Sequence, residues 1–454
     1  MINNYANKRI YIVGIKGTGL SNLALFLKKE NSLVSGCDYP TYYKSEDLLK
    51  EANISWDENF TNFEALKSSD LVIHSAAYPK ATNPLLIEAA KYKIPTFSYP
   101  EFLKNISESY PTYSISGTHG KSSTLGAASF IYIANNNSPI ILGGCQLQQQ
   151  SNTNKKDNFA IIEGCEYKDH YHLYKLKGLV ITSIEFEHPD FFLDEMQLFN
   201  SFKKRVELLE ENSFVILCSD YPLTKKLIGH IKNKKLITYG KDSTCDVRIE
   251  YIGKGEYKVG TKTYRSQFHS YPLIANLVAA SLLVNQISNL DFENSLKILE
   301  NYKGCKQRVE KLFEKEGVIF IDDYAHHPTE IKTSLKHIKS LYPDKTLFLI
   351  FYPHTLSRTI ALFDEFVKEL KQVENLFIRK VFASSRNDGK EDQLITISKS
   401  LATKSNGTFI EDKENLVSEV AKRLQANSVC VTMGAGNNSA LAEEIASKRE
   451  KLNG

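Results

Sequence analysis

The segment "SISGTHGKSSTLGAASF" (residues 114–130) predicts a strand that stops in a glycine turn and continues into a helix. Such a turn presents backbone N–H groups to an anion, and the helix dipole favours negative charge at the same point. Lys121 would add a point charge for phosphate, and the hydroxyl of Ser122 would suit Mg²⁺. The full phosphate-loop pattern has a glycine where this chain has Ile115. The residues alone leave two interpretations, a phosphate site or a glycine turn with an exposed lysine.

Strand-like and helical segments alternate in the same way along the whole chain of 454 residues. A chain of this length exceeds one ordinary core, and the alternation predicts an α/β protein with three domains. We place these domains at residues 1–108, 109–312 and 313–454. The polar, helix-poor segment 302–317 is interpreted as the linker between the second and third domains.

Composition excludes several function classes. Lys and Arg together number 57 against 53 Asp and Glu, so no excess charge indicates a nucleic-acid partner. No apolar run approaches the roughly 20 residues of a membrane span, and the N-terminus lacks the apolar core of a signal peptide. The seven cysteines form no CxxC pair, which favours reduced thiols. We therefore expect a cytoplasmic protein without a membrane partner.

A second glycine turn, "GIKGTG" (residues 14–19), follows the first predicted strand. Lys16 occupies the second glycine position of the dinucleotide pattern, although Asp38 follows the next strand as that pattern requires. The turn therefore fits a dinucleotide weakly. Another diphosphate or a simple strand-to-helix turn fits equally well.

Polar clusters follow other predicted strands. Glu163 and His188 each come at the end of one, where side chains of an open α/β sheet face the ligand crevice. A carboxylate there would suit Mg²⁺, whereas imidazole is an unusual ligand for that ion. The segments "DDYAHHPTE" (322–330), "FYPHTLSRT" (351–359) and "GAGNN" (434–438) repeat the arrangement. Each could be a capping or turn segment by itself, but three in one sheet indicate a site that faces the other domains.

Taken in order, these motifs resemble those of the Mur ligase family, ATP-dependent enzymes that form the amide bonds of the peptidoglycan stem peptide. The resemblance covers essentially the whole chain and rests on GIKGTG (14–19), GCD (36–38), SGTHGKSST (116–124), EGCEY (163–167), EFEHPD (185–190), KQRVE (306–310), DDYAHHPTE, FYPHTLSRT and GAGN (434–437). It implies a Rossmann-like UDP-sugar domain, a central P-loop ATPase-like domain that binds ATP, and a Rossmann-like C-terminal domain for amino acid and nucleotide.

The resemblance also implies a reaction. ATP would phosphorylate the carboxylate of UDP-N-acetylmuramate, and the amine of an amino acid, L-alanine in the first place, would attack the acyl phosphate. ATP and Mg²⁺ are the expected cofactors. We expect no nucleic-acid partner, and a monomer or weak homo-oligomer.

The family's motifs imply roles for individual residues. ATP would be held by Gly117, Thr118, His119, Gly120, Lys121, Ser122, Ser123, Asn276, Arg308 and Asp323. Mg²⁺ would be held by Ser122, Glu163 and His188. The UDP-sugar would be held by Gly17, Thr18, Gly19, Asp38, Ser75 and Ala76. The amino acid would be surrounded by Tyr324, His326, His354 and Arg358. The expected catalytic residues are Lys121, Glu163, His188, His326 and Arg358.

Some positions depart from the family's pattern. Pro272 and Leu273 stand where its adenine motif begins with His-Asn, Thr355 replaces an arginine, Glu187 replaces an aspartate and Tyr99 an arginine. The departures leave the ATP-dependent ligase assignment intact but weaken the choice of L-alanine. Three alternatives stay open: a recycling ligase for a preformed tripeptide, a nicotinamide-dependent dehydrogenase that uses residues 14–19, and a non-catalytic nucleotide-binding protein.

Overall fold

The computed structural model describes residues 5–148, 157–382, 390–434, 436 and 438–453. Three β-sheets follow one another along the chain, and helices alternate with their strands, which confirms the predicted α/β class. The domain boundaries drawn from the sequence stay a prediction. Two residues of the GAGN motif, Ala435 and Asn437, lie outside the described residues.

The first sheet is parallel, and its described strands have the order β3-β2-β1-β4-β5. They are β1 (Arg9–Val13), β2 (Leu33–Cys37), β3 (Ser55–Asp57), β4 (Leu71–His74) and β5 (Thr96–Ser98). The connecting helices are α1 (Thr18–Lys29), α2 (Ser45–Glu51), α3 (Phe63–Lys67), α4 (Pro84–Lys91) and α5 (Tyr99–Ser109). The strand order reverses between β1 and β4, and open α/β sheets bind ligands in the crevice at such a point. The loop after β1 and the residues after β4 form that crevice.

The second sheet has the order β14-β13-β12-β11-β10-β9-β6-β8-β7 in the described residues. Its strands are β6 (Thr112–Ser116), β7 (Ile140–Leu142), β8 (Ala160–Gly164), β9 (Gly178–Ile181), β10 (Phe214–Cys218), β11 (Lys235–Gly240), β12 (Val247–Gly253), β13 (Glu256–Val259) and β14 (Lys262–Arg265). Its helices are α6 (Lys121–Ala134), α7 (Glu195–Glu207), α8 (Pro222–Leu227), α9 (Tyr271–Ser288) and α10 (Phe292–Ile298). The order reverses at β6, so the segment 117–120 lies in the crevice of this sheet.

Helix α9 is the one described helix with the length and mean hydropathy of a membrane span. Twelve of its residues are buried, and the helix packs against α6 in the core of the second sheet. Its apolar composition is therefore explained by burial within the protein.

The third sheet has the described order β15-β16-β20-β17-β18-β19. Its strands are β15 (Glu310–Lys315), β16 (Val318–Asp323), β17 (Thr346–Tyr352), β18 (Asn375–Ile378), β19 (Thr408–Phe409) and β20 (Ser428–Gly434). Its helices are α11 (Pro328–Leu341), α12 (Leu356–Ala361), α13 (Phe363–Leu370), α14 (Glu391–Lys404), α15 (Lys413–Arg423) and α16 (Asn438–Asn453). Because β20 lies between β16 and β17, the three polar segments that follow these strands are neighbours at one edge.

The interpretation of 302–317 as a linker is wrong for its second half. Residues 310–315 form β15, which pairs antiparallel with β16 at the edge of the third sheet. Four of the six residues of β15 are charged, which an antiparallel edge strand with one solvated side tolerates, and this composition made the segment resemble a polar linker.

Candidate active site

The turn between β6 and α6 requires its glycines. Gly117 has a φ of 131° and Gly120 a φ of 83°, both in the left-handed region that side chains disfavour. A Cβ atom at Gly117 would strike Thr182 Oγ1, and one at Gly120 would strike Asn276 Oδ1. The turn therefore keeps its shape because both residues lack a side chain.

The turn is held from one side and open on the other. Thr118 N donates to Ser183 O at 3.0 Å, and His119 N donates to Ser183 Oγ at 2.9 Å. Within the described residues, the amides of Gly120, Lys121 and Ser122 have no intramolecular acceptor. These N–H groups at the start of α6 are available to a phosphate.

Lys121 is not an exposed loop lysine, and that part of the sequence interpretation is wrong. Its side chain is 13% exposed, and Nζ lies 3.0 Å from Oε2 of Glu166, which is 0% exposed. Nζ also donates to the carbonyl oxygens of Gly117 and Thr118. Burial alone would lower the pKa of Lys121, but Glu166 raises it above its ordinary value. The lysine is a positioned, charged cation beside the turn.

His188 lies near this pair, although not at the end of a strand as predicted. Strand β9 ends at Ile181, and His188 follows in an irregular segment with a φ of 56°. Its Nε2 is 3.6 Å from Glu166 Oε1. Burial alone would lower the pKa of His188, but Cys165 and Glu166 raise it to about 9. The imidazole is therefore protonated at neutral pH.

Ser122 and Glu163 meet at the start of α6 and supply oxygen ligands for a metal ion. Ser122 Oγ donates to Glu163 Oε1 at 3.1 Å, and Gly144 N donates to Oε2 at 2.7 Å. Mg²⁺ is commonly held by one or two protein oxygens together with phosphate and water, so this pair fits the ion. No group of three or more His, Cys, Asp or Glu in the described part of the chain is arranged around a metal position. The assignment of His188 as a metal ligand stays a prediction.

A cavity of ≈ 90 Å³ opens beside the turn and contains Asn276, Arg308 and Asp323; we call it the Asn276 pocket. Pro272, Leu273, Phe268 and Tyr302 give it apolar walls. Burial raises the pKa of Asp323 to about 6. The structure thus brings three of the residues predicted to hold ATP into one cavity.

His119 connects this cavity to the third sheet. Its ring nitrogens lie 3.4 Å from Glu185 Oε2 and 3.4 Å from Glu330 Oε1. Burial alone would lower the pKa of His119, but Glu330 and Glu185 raise it. The histidine of the phosphate turn is thus positioned by carboxylates from two different sheets.

The segment after β16 contributes His326. His326 Nδ1 lies 2.9 Å from Tyr324 O, and its backbone N donates to Glu330 Oε2 at 3.1 Å. Since a carbonyl oxygen only accepts, the proton is assigned to Nδ1 and Nε2 keeps its lone pair. Burial lowers the pKa of His326 to about 4, so the ring is neutral at pH 7. The His354 ring is 5.8 Å away.

Arg358 is held by Glu187 in a buried ion pair. Its Nε lies 2.7 Å from Glu187 Oε1, and its NH1 donates to His354 O at 2.8 Å. Burial alone would raise the pKa of Glu187, but Arg358 holds it well below its usual range. Two of the guanidinium's three nitrogens are thereby fixed. Thr355 is buried nearby, with a φ of 70° that is unusual for a β-branched residue.

The turn after β1 is built differently from the phosphate turn. Asp38 Oδ2 accepts from Lys16 N at 2.9 Å, and Oδ1 accepts from Tyr78 OH at 2.9 Å. Gly17 caps α1, and Ser75 N donates to Val13 O at 2.9 Å beside it. The residues predicted for the UDP-sugar therefore gather at the crevice of the first sheet.

A cavity of ≈ 290 Å³, which we call the Lys121 pocket, draws residues from all three sheets. It is lined by Thr18, Thr118, Gly120, Lys121, Ser122, Ser123, Gly144, Glu163, Glu166, Glu187, His188, Lys306, Gln307, Arg308, Tyr324, His326, Glu330 and Arg358. The predicted residues outside this lining are Gly17, Gly19, Asp38, Ser75 and Ala76 in the first sheet, Gly117 and His119 in the turn, Asn276 and Asp323 in the Asn276 pocket, and His354.

The sequence interpretation missed the carboxylates that hold the cations: Glu166, Glu185, Glu187 and Glu330. Glu166 lies in the EGCEY motif, three residues after Glu163, and this spacing after a strand was the available signal. The Glu187–Arg358 and Glu330–His119 pairs join different sheets. Glu185 and His119 lie in loops of the second sheet that are far apart in the sequence, so none of these pairings has a local signal.

Comparison with known proteins agrees with this architecture. Three protein-family models match the chain in sequence order. They are the catalytic domain of the Mur ligase family at residues 9–111, the Mur ligase middle domain at 115–285 and the glutamate ligase domain of Mur ligases at 307–436. The chain is 33% identical to a UDP-N-acetylmuramate–L-alanine ligase of Borreliella burgdorferi, over 94% of this chain and 96% of that relative.

Two solved structures have the same fold. A UDP-N-acetylmuramate–alanine ligase of Thermotoga maritima gives a TM-score of 0.77 at 20% identity, over 98% of this chain and 100% of that one. A murein peptide ligase of Psychrobacter arcticus gives 0.76 at 18% identity, over 98% and 99%. Because this chain is 33% identical to the Borreliella burgdorferi relative over 94% of its own length, it belongs to the Mur ligase family.

Proposed function

We propose that this protein is the ADP-forming ligase that joins the carboxylate of UDP-N-acetylmuramate to L-alanine in peptidoglycan precursor synthesis. The Lys121 pocket carries the proposal, because the phosphate turn, the first-sheet loop and the third-sheet clusters meet there. A ligase with three substrates needs such a meeting point. The relative of Borreliella burgdorferi that bears this activity in its name aligns along nearly the whole chain.

The first step is phosphoryl transfer. A carboxylate oxygen of UDP-N-acetylmuramate attacks the γ-phosphorus of ATP, the bond to the β-phosphate oxygen breaks, and ADP leaves. Catalysis of such a step is mainly positioning and neutralisation of spreading negative charge. The free amides of Gly120, Lys121 and Ser122 and the ammonium of Lys121 supply donors and charge for this. Glu166 fixes the position of Lys121, at 3.0 Å.

Mg²⁺ would be held by Ser122 and Glu163. When bound, the ion neutralises phosphate charge and orients the transferred group. Around it, Gly144 N orients the carboxylate of Glu163 at 2.7 Å. The neutral Ser122 hydroxyl and this single carboxylate leave room for phosphate oxygens, as in other phosphate-bound magnesium sites.

The second step is attack by the amine on the acyl phosphate. The amine nitrogen attacks the acyl carbon, the carbon–oxygen bond to phosphate breaks, and one N–H proton passes to the departing phosphate. His326 has the position and tautomer for the amine, because its neutral Nε2 accepts a hydrogen bond while Nδ1 donates to Tyr324 O at 2.9 Å. Arg358 lines the same pocket as His326, and its NH2 group remains available for the carboxylate of the amino acid.

The amino acid specificity is the part of the proposal that an assay must test first. Phosphate release is measured with UDP-N-acetylmuramate, ATP and, in turn, L-alanine, glycine, L-serine and the L-alanyl-γ-D-glutamyl-diaminopimelate tripeptide. We expect L-alanine to give the highest kcat/KM. Exclusive use of the tripeptide would overturn the L-alanine assignment in favour of the recycling activity, and ATP binding without substrate-dependent ADP release would overturn ligation.

A further inference from the structure

Lys306 stands apart from the other cations of the Lys121 pocket. Each of the others faces a carboxylate: Lys121 and His188 face Glu166 at 3.0 and 3.6 Å, Arg358 faces Glu187 at 2.7 Å and Arg308 faces Glu330 at 3.9 Å. The half-buried Lys306 makes no ion pair or side-chain hydrogen bond with any described residue. It is thus a cation at the reaction site whose charge is not compensated by any residue that the structure describes.

The backbone holds Lys306 in place. Lys306 N donates to Gln146 O at 2.7 Å, next to an antiparallel bridge between Leu147 and Cys305. Asn22 of α1 contacts the start of the segment 145–147, since its Nδ2 donates to Cys145 O at 3.2 Å. The lysine is therefore attached to a segment that the first domain also contacts.

The position of Lys306 indicates which substrate it faces. The Asn276 pocket, where adenosine is expected, shares Gly120, Ser123, Arg308 and Glu330 with the Lys121 pocket but does not include Lys306. Lys306 lies instead between the Lys121 pocket and a groove of ≈ 890 Å³ along α1. In phosphoryl transfer the attacking and leaving oxygens lie roughly in line, so the acceptor enters opposite the departing ADP.

We propose that Lys306 binds the carboxylate of the sugar-nucleotide substrate and holds it for attack on the γ-phosphorus. The inference rests on the proposed function, which supplies that carboxylate. The Lys306 ammonium pairs with one carboxylate oxygen while the other attacks. After transfer the same ammonium faces the acyl phosphate, whose added charge strengthens the contact.

The test compares two ligands that differ in the carboxylate, UDP-N-acetylmuramate and UDP-N-acetylglucosamine. Kd values are measured by titration calorimetry for the wild type, Lys306→Met, Lys306→Arg and the exposed control Lys311→Met. We expect the wild type and the control to bind the carboxylated ligand about 10- to 100-fold more tightly, as a charge-assisted contact implies. Lys306→Met should lose this preference and Lys306→Arg should keep part of it, with Kd for ATP and UDP-N-acetylglucosamine unchanged.

The inference is overturned if Lys306→Met keeps the preference, or if its Kd for ATP rises by as much as its Kd for UDP-N-acetylmuramate. Unchanged binding of UDP-N-acetylglucosamine shows that the variant is folded. Failure of the proposed function has a different signature, since the wild type would then release no phosphate with UDP-N-acetylmuramate and any amine. The two failures are therefore distinguishable.

Discussion

The turns after β1 and after β6 have the same plan, in which a buried strand leads through glycines into a helix, and each contains a lysine. Lys16 precedes the glycine that caps its helix, whereas Lys121 follows it. Lys16 is buried below its turn, 2.8 Å from Glu46, and Nζ donates to Tyr39 O at 2.9 Å. Lys121 instead lines the Lys121 pocket, together with Gly120 and Ser122, whose amides are open.

In these two turns, the position of the partner carboxylate determines whether the lysine is buried in the fold or remains in a pocket. Glu46 lies in α2, and its ion pair with the buried Lys16 stabilises the fold. Glu166 lies beside the phosphate turn, and the cation that it holds remains in the Lys121 pocket. We therefore expect substitutions of the two lysines to affect different measurements.

The largest expected effect is on catalysis by Lys121→Met. Removing a cation from a phosphoryl-transfer site lowers kcat by roughly 10³- to 10⁵-fold. ADP formation in a coupled assay measures the loss. Because the variant leaves the buried Glu166 with only the longer contact to His188, the double variant Lys121→Met/Glu166→Gln serves as a control for the broken ion pair. Activity within tenfold of the wild type in either variant would contradict the role of Lys121.

Lys16→Met tests the other turn, and its effect should fall on stability. Breaking a buried pair by removing one partner costs about 3–5 kcal/mol, since Glu46 would remain buried and charged. Urea unfolding measures the free energy. Lys50 pairs with the same Glu46 at 3.6 Å but is exposed, so Lys50→Met should cost less than about 1 kcal/mol. Equal costs for the two variants would show that the buried ion pair of Lys16 adds no more stability than an exposed one.

Much of this comparison could be predicted from the sequence, because a strand, a glycine turn and a helix are local features. The positions of Lys121, Ser122 and Asn276 near one another follow from the family resemblance. The burial of Lys121 and its pairing with Glu166 could not be predicted, because they depend on how the segment after β8 folds back. The Glu187–Arg358 pair joins residues 171 positions apart and has no local pattern.

The glycines of the two turns provide a third test. Gly120→Ala places a Cβ at a φ of 83° against Asn276, so we expect Kd for ATP to rise about 10- to 100-fold as the turn distorts. Gly17 has a φ of −61°, and a Cβ there would only contact Gly14 O at 3.4 Å. Gly17→Ala should leave ATP binding unchanged. Similar ATP affinities for the two variants would mean that both turns tolerate a side chain.

The smallest effect concerns Asp322, a buried carboxylate without the compensation that Lys16 and Glu46 give each other. Asp322 is 0% exposed, and neither oxygen accepts a hydrogen bond of normal geometry within the described residues. Burial raises its pKa to about 7, so the folded state binds a proton more tightly than the unfolded state. Stability from this group is therefore lost as pH rises from about 4 to 7. Relative to the wild type, Asp322→Asn should gain about 2 kcal/mol in urea unfolding between pH 5 and pH 7. A difference that stays constant with pH would show that Asp322 is already ionised at pH 5.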